Sequence, residues 1–269
     1  MRWSPVNQDR WAPLLWGVVV LMGLIVSLPL AEAREDGGDP EPIVFSLAAI
    51  DPWAEDPPDG KPHGLLVDIV EELKSRTGLP LRYHVRPHGR TLLELEEGVA
   101  DFVPSFAAPR VEEIGERVGH LVTARVLVLG RDEDSVLDSL SELNGSNVGY
   151  LAGTWYGKTF EENDRIHKVP VKDVAHGVRL LKRGRLKAVV ATEIAIPAGY
   201  HPESEETPSL KVLLELERNE GELYMSRKSS HHEAKERIAE ALEAMHEDGT
   251  MKALFRERFR TASESGESG

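Results

Sequence analysis

The stretch GLLVDIVEELKSRTGLPLRYHV, residues 64–85, decides the reading of the fold. Apolar side chains at Leu66, Val67, Ile69, Val70 and Leu73 recur at steps of three and four, which gathers them on one face of an α-helix. Gly78 and Pro80 end that helix, and Leu81 to Val85 follows as a strand. Upstream, Ile43-Val-Phe-Ser-Leu-Ala48 is a first strand, short, partly β-branched and bounded by Pro42 and Asp51. Downstream, Thr91 to Glu97 is a second helix closed by Gly98, and Asp101-Phe-Val-Pro104 is a third strand. Strand and helix alternating at this pitch predict an α/β fold with a parallel sheet wrapped by helices.

A second series of the same kind begins after Val126-Leu-Val-Leu129, a run expected to cross between two lobes. It comprises a short helix over 139–145, a strand Asn147 to Leu151, a turn at Ala152-Gly-Thr154, a helix Val174 to Arg183 and a strand Leu186 to Ala191. Residues 201–222 are acidic and read as loop around Leu210 to Leu214. The chain then returns through Glu222 to Met225 into two closing helices, Glu233 to Glu247 and Thr250 to Phe259, and residues 261–269 read as a disordered tail.

Composition removes whole classes. With no cysteine, disulfide scaffolds, thiolate metal sites and a lipid-anchored N-terminal cysteine are excluded. A formal charge of −14 offers no electrostatic footprint for a phosphate backbone, so no nucleic acid partner is expected. His84 and His88 straddle a strand end and Pro87 instead of sharing a helix face, so no metal is expected, and no cofactor fingerprint or nucleophile elbow is present. Residues 1–33 read as a cleavable signal peptide: Arg2 and Arg10 lead an apolar stretch from Leu14 to Leu30, and Ala31-Glu32-Ala33 is a small-x-small cleavage site. An uncleaved anchor is the alternative, though the apolar stretch is short for a span and broken by Gly17, Gly23 and Pro29. An exported chain without cysteine points to the periplasm of a Gram-negative bacterium.

Five segments then make the chain resemble the bacterial extracellular solute-binding proteins of family 3, which serve amino-acid-type ABC importers. They are GLLVDIVEEL (64–73), RTLLELEEGVADFV (90–103), SLSELNGSNVGYLAGT (139–154), GVRLLKRGRLKAVV (177–190) and EDGTMKALFRERF (247–259). The resemblance implies a two-lobe fold of the periplasmic-binding type 2 kind, with a cleft between lobes that closes on a small-molecule solute. Residues 34–127 would begin lobe 1, 128–221 form lobe 2, and 222–260 return to lobe 1. It also implies a monomer that hands its solute to an inner-membrane ABC permease.

The cleft's chemistry follows from residue types. A carboxylate leaving water needs fixed donors, and the planar fork of Arg fits it best. Arg110 lies a few residues beyond the third strand and matches the family's carboxylate-binding Arg; the plainer alternative is a surface pair with Glu112 or Glu113. Gly153-Thr154 precedes a helix, so its N–H groups and hydroxyl are candidate anion donors, unless Thr154 merely caps its own helix. Ser105 adds a hydroxyl. Trp53 and Trp155, the two Trp outside the signal segment, sit in loops expected to line the cleft, with Phe106 beside them. Arg90 is a cleft candidate by the resemblance alone. Where amino-acid binders of the family carry an Asp for the α-amino group, this chain has Thr192 followed by Glu193. A hydroxyl cannot neutralise an ammonium, so a carboxylate solute without an amine competes with an amino acid. The family's fold also occurs in dehydratases of prephenate-like acids, for which Glu193 or Asp51 would have to be the general acid. A ligand sensor without transport is the third option.

Overall fold

A computed structural model of the chain describes residues 41–196 and 210–265. The proposed signal peptide lies outside the described residues. Among the described residues eight strands, β1 (Ile43–Ala48), β2 (Leu81–Arg86), β3 (Phe102–Phe106), β4 (Gly115–Gly130), β5 (Asn147–Leu151), β6 (His167–Val171), β7 (Ala188–Thr192) and β8 (Lys211–Ser226), form one sheet in the order β2-β1-β3-β8-β4-β7-β5-β6. Around it run the helices α1 (Leu65–Thr77), α2 (His88–Glu97), α3 (Pro109–Ile114), α4 (Lys158–Glu161), α5 (Val174–Lys182), α6 (Ala234–Glu247) and α7 (Thr250–Ser265).

The strand order explains the two lobes. β1 runs parallel to β2 and β3, and β5 runs parallel to β6 and β7, so each lobe holds a three-stranded parallel set with helical crossovers. Between the sets lies an antiparallel ribbon of β4 and β8, in register from Gly115↔Ser226 to Gly130↔Lys211. Its two halves serve different lobes: β3 pairs with Gly221 to Met225 of β8, whereas β7 pairs with Val126 to Leu129 of β4.

Packing follows from the strand period of two. In the first lobe Phe45, Leu47, Leu73, Phe102, Ile238 and Met245 share one buried cluster beneath α1 and α6, with Phe45 stacked on Phe102 at 5.0 Å between ring centroids. In the second, Leu127, Leu129 and Val189 face α5, while Val126, Val128 and Val190 face Phe160 and Leu143 on the other side. Covering both faces is why VLVL and AVVA are unbroken apolar runs instead of alternating ones. Each such fully buried aliphatic or aromatic side chain contributes roughly 1.5–3 kcal/mol by leaving water. Helix α1 ends in left-handed backbone at Gly78, whose N–H closes on the Lys74 carbonyl.

Three local expectations change. The segment 201–222 is not all loop: from Lys211 it is strand, and β4 starts at Gly115, eleven residues before the apolar run that announced it. The ribbon's polar positions, such as Arg125 opposite Arg218 and Thr123 opposite Glu220, lie on a partly solvated face and hide the strand pattern. The helix expected over 139–145 is a single 3-10 turn, Leu140–Leu143, whose start is tied by a reciprocal capping box between Ser139 and Glu142. Finally, α7 runs through Thr261 to Ser265, part of the expected disordered tail, because no Gly or Pro interrupts the chain between Phe259 and Gly266.

Candidate functional site

A cavity of about 570 Å³ opens where the carboxyl ends of both parallel sets meet, the place at which open α/β sheets bind ligands. Trp53, from the loop after β1, meets Phe106 edge-on at 5.8 Å, and both rings line one wall. Trp155 and Tyr150 line the opposite wall, and Leu121, Val122 and Gly221 of the ribbon form the floor.

Eight of the ten residues expected at the cleft border this cavity: Trp53, Ser105, Phe106, Arg110, Gly153, Thr154, Trp155 and Thr192. Arg110 sits in the first turn of α3 with 58% of its side chain exposed, and its Nη2 donates to Glu96 at 2.7 Å. Its partner is therefore Glu96, not Glu112, which takes Arg117 instead. An exposed pair of this kind contributes at most about 1 kcal/mol, so a solute carboxylate can replace Glu96 at little cost. The Ser105 hydroxyl contacts only its neighbour's carbonyl, that of Phe106, at 3.2 Å.

Gly153 and Thr154 border the cavity without the helix expected to follow directly. Helix α4 starts three residues beyond Trp155, at Lys158, and is one turn long, so its dipole does not act at Thr154. The loop is fixed by other means. Leu151 N–H donates to the Tyr156 hydroxyl at 3.2 Å, Tyr156 N–H to Glu161 at 3.1 Å, and the Asn219 amide to the Trp155 carbonyl at 2.6 Å. Tyr156 is 2% exposed, and burial pushes its phenol up to about 12, so it stays a neutral clamp.

Arg90 and Glu193 are not brought to the cavity. Arg90 donates to Glu94 at 3.2 Å, and that buried carboxylate also accepts from Ser46 at 2.6 Å and pairs with His84 at 2.7 Å. Burial pushes the Glu94 carboxyl up, but those hydrogen bonds outweigh it and leave it below its usual range. Glu193 accepts from the Arg125 backbone N–H at 2.9 Å and from Arg125 Nε at 2.6 Å. Held twice by the ribbon, it is not free to meet an ammonium or to act as a general acid.

The missed lining residues include apolar ones such as Leu92 and Tyr150, and one polar residue that bridges the lobes. His88, the first residue of α2, lines the cavity and donates from Nε2 to the Gly153 carbonyl at 2.8 Å, joining the first lobe to the second. The approach is close: Gly153 has φ +89°, and a Cβ there would lie 2.8 Å from His88 Cδ2. Nδ1 of the ring is buried without a partner, and burial holds the imidazole below its usual pKa despite the bond to Gly153. His88 follows β2 as Trp53 follows β1, and that topological rule was the signal for it. Among the described lining residues Glu161 is the one acid, and it already accepts the Tyr156 N–H.

A family model described as bacterial extracellular solute-binding proteins, family 3, matches residues 44–261. No curated protein sequence matches the chain. Among solved structures, a variant of ArgBP from T. maritima is 19% identical, with a TM-score of 0.68 over 81% of this chain and 95% of that one. The amino acid ABC transporter substrate-binding protein AbpA from Streptococcus pneumoniae, bound to L-arginine, is 17% identical with a TM-score of 0.67, covering 82% and 95%. The GluR0 ligand-binding core from Nostoc punctiforme, in complex with L-glutamate, is 16% identical with a TM-score of 0.66, covering 81% and 99%. At such identities the likeness is one of fold.

Proposed function

Because the chain belongs to the bacterial extracellular solute-binding proteins of family 3, we propose that it captures a small carboxylate with an apolar body and delivers it to an ABC permease of the inner membrane. The family supplies solute binding; the cavity supports the choice of solute. Trp53, Phe106, Leu92, Tyr150 and Trp155 offer apolar walls, whereas Arg110 at the rim and the hydroxyls of Ser105, Thr154 and Thr192 are the donors on hand. Burying about 100 Å² of apolar solute contributes roughly 2.5 kcal/mol. A charge-assisted bond to Arg110 adds about 1.5–3 kcal/mol, a large part of the ~8 kcal/mol of micromolar binding.

The observation that carries this reading is the lining's charge. ArgBP and AbpA have both been solved bound to arginine, and a guanidinium or ammonium must leave water for a carboxylate. Glu161 and Thr192 are poor stand-ins here, the first being used by Tyr156 and the second being neutral. The reading is a receptor and not an enzyme, since of the two candidate general acids Glu193 is committed to Arg125 and Asp51 is not among the residues lining the cavity. Residues 1–33 would direct the chain to the periplasm, where it acts as a monomer.

The test is a thermal-shift and calorimetric screen of the mature protein against amino acids, polyamines and organic acids, the acids graded by apolar area. Carboxylates lacking an amine should give the largest shifts, and Arg110→Ala should weaken the best one tenfold or more. A best ligand that is cationic, or one indifferent to Arg110→Ala within twofold, overturns the assignment.

A further inference from the structure

The β4–β8 ribbon has a second face, turned away from the cavity floor. Val122 pairs with Gly221 on the cavity side, so the neighbouring pairs His120↔Glu222 and Thr123↔Glu220 lie on the other. A register shift between His120 and Val122 makes Leu121 an extra residue in β4. Without that bulge Val122 would pair with Glu220; with it, Thr123 takes that place and its hydroxyl donates to Glu220 Oε2 at 2.7 Å. Bulges of this kind re-aim side chains.

What gathers on this face is a donor set of one imidazole and two carboxylates, whose ligand atoms all lie within 4.8 Å of one another. His120 Nδ1 is 3.4 Å from Glu220 Oε2 and 3.7 Å from Glu222 Oε1. Both separations exceed a charged hydrogen bond, which closes to about 2.7–2.9 Å. They approach the edge of a tetrahedron with bonds of about 2.0–2.1 Å, which is about 3.3–3.4 Å. Glu222 is 4% exposed, and a buried carboxylate beside a second one calls for a cation. Its cation in the structure is Arg117, at 3.3 Å, but Arg117 is shared with Glu112 at 2.7 Å.

We propose that His120, Glu220 and Glu222 form a binding site for a divalent transition metal of the Zn²⁺ class, clipping the two crossing strands together on the face opposite the solute cavity. Two carboxylates and a neutral imidazole balance the ion's charge, and the half-exposed sides of His120 and Glu220 leave a fourth position for water. Supporting groups are in place. Thr123 orients Glu220, and His246 stacks on the His120 ring at 5.5 Å while its Nε2 donates to the His120 carbonyl at 2.9 Å. Nitrogen and carboxylate donors together favour Zn²⁺ or Co²⁺ over Mg²⁺.

The test titrates Zn²⁺, with Mg²⁺ as comparison, into the chelator-treated mature protein by calorimetry, and follows Co²⁺ by its visible absorption. One Zn²⁺ per chain is expected, with a rise in the thermal midpoint that Mg²⁺ does not reproduce. His120→Gln and Glu220→Gln, both at half-exposed positions that leave the fold intact, should each weaken Zn²⁺ at least tenfold, and Thr123→Val about tenfold. His167→Gln, at an exposed histidine elsewhere, should change nothing. The proposal is overturned by absence of one-to-one Zn²⁺ binding below about 100 µM, or by binding that His120→Gln and Glu220→Gln leave within twofold.

Discussion

Replacing His88 tests how the lobes are held on the solute. Its Nε2–H reaches the Gly153 carbonyl across the cavity at 2.8 Å, and in a separated state both groups return to water. Such an exchange contributes about 0.5–1.5 kcal/mol net, which is about a 2- to 13-fold change in the closure equilibrium and hence in solute affinity. His88→Ala should weaken binding by that factor at pH 7.5. The ring's other nitrogen adds a pH term. Nδ1 is buried without a partner, so protonating the closed form would strand an N–H, and burial lowers the imidazole's pKa there. Freed by opening, the ring regains its ordinary value near 6.5. Because the depressed pKa belongs to the closed form, closure is fully favoured above that ordinary value and loses strength as pH falls through it. Between pH 7.5 and 5.5 affinity should fall by up to about tenfold. His88→Gln keeps a donor without titrating, so it should restore much of the affinity at pH 7.5 and flatten the acid limb. Calorimetry of the best solute at both pH values reads the wild-type and both variants. Should His88→Gln retain the full acid weakening, the assignment to this imidazole is wrong.

Other consequences are as concrete. Arg110→Ala should cost at most about 1 kcal/mol in urea unfolding, since it breaks only an exposed pair, while its effect on solute affinity is tenfold or more. Glu94→Ala should destabilise by about 1–3 kcal/mol with an unchanged urea m-value, because Ser46, His84 and Arg90 lose one buried acceptor. The Glu94 contribution is present above its unfolded pKa and lost as pH falls through its lowered folded one, so the wild-type should lose stability more steeply than Glu94→Gln on acidification below about pH 4.5. His231 behaves oppositely: burial lowers its pKa but Asp101, at 3.1 Å, raises it further, giving stability that is full at acid pH and lost as pH rises through the raised value. His231→Ala should remove that loss from the stability profile above about pH 6.5. Gly153→Ala, with a Cβ forced against His88 in left-handed backbone, should weaken solute binding more than His88→Ala does.

The parallel halves of the fold were legible because their strands are buried on both faces and their helices are amphipathic, as Leu66, Ile69 and Leu73 illustrate. The ribbon was not, because Glu215, Arg218 and Glu220 make half of β8 read as a polar loop until β4 is known to lie beside it. A similar division runs through the site. Residues at or just beyond the ends of parallel strands, Trp53, Phe106 and Trp155, fell where topology put them. Arg90 and Glu193 did not, since each is captured by a partner distant or hidden in sequence, Glu94 through its burial and Arg125 through a strand pairing 68 residues away. The pairing of Arg110 with Glu96 is of the same kind, a contact between helices that no local pattern announces.

The ribbon also sets an order of events during synthesis. Everything that the second lobe's core needs, from Val126 to Leu216, leaves the ribosome as one uninterrupted span. The first lobe's core joins Phe45 and Leu47 to Leu223, Ile238, Met245 and Met251, so it cannot close until nearly the last residue of that set is made. A nascent chain stopped before β8 therefore holds β3 without its antiparallel neighbour and α1 without α6 to cover it. The lobe begun first is the lobe whose core is completed last.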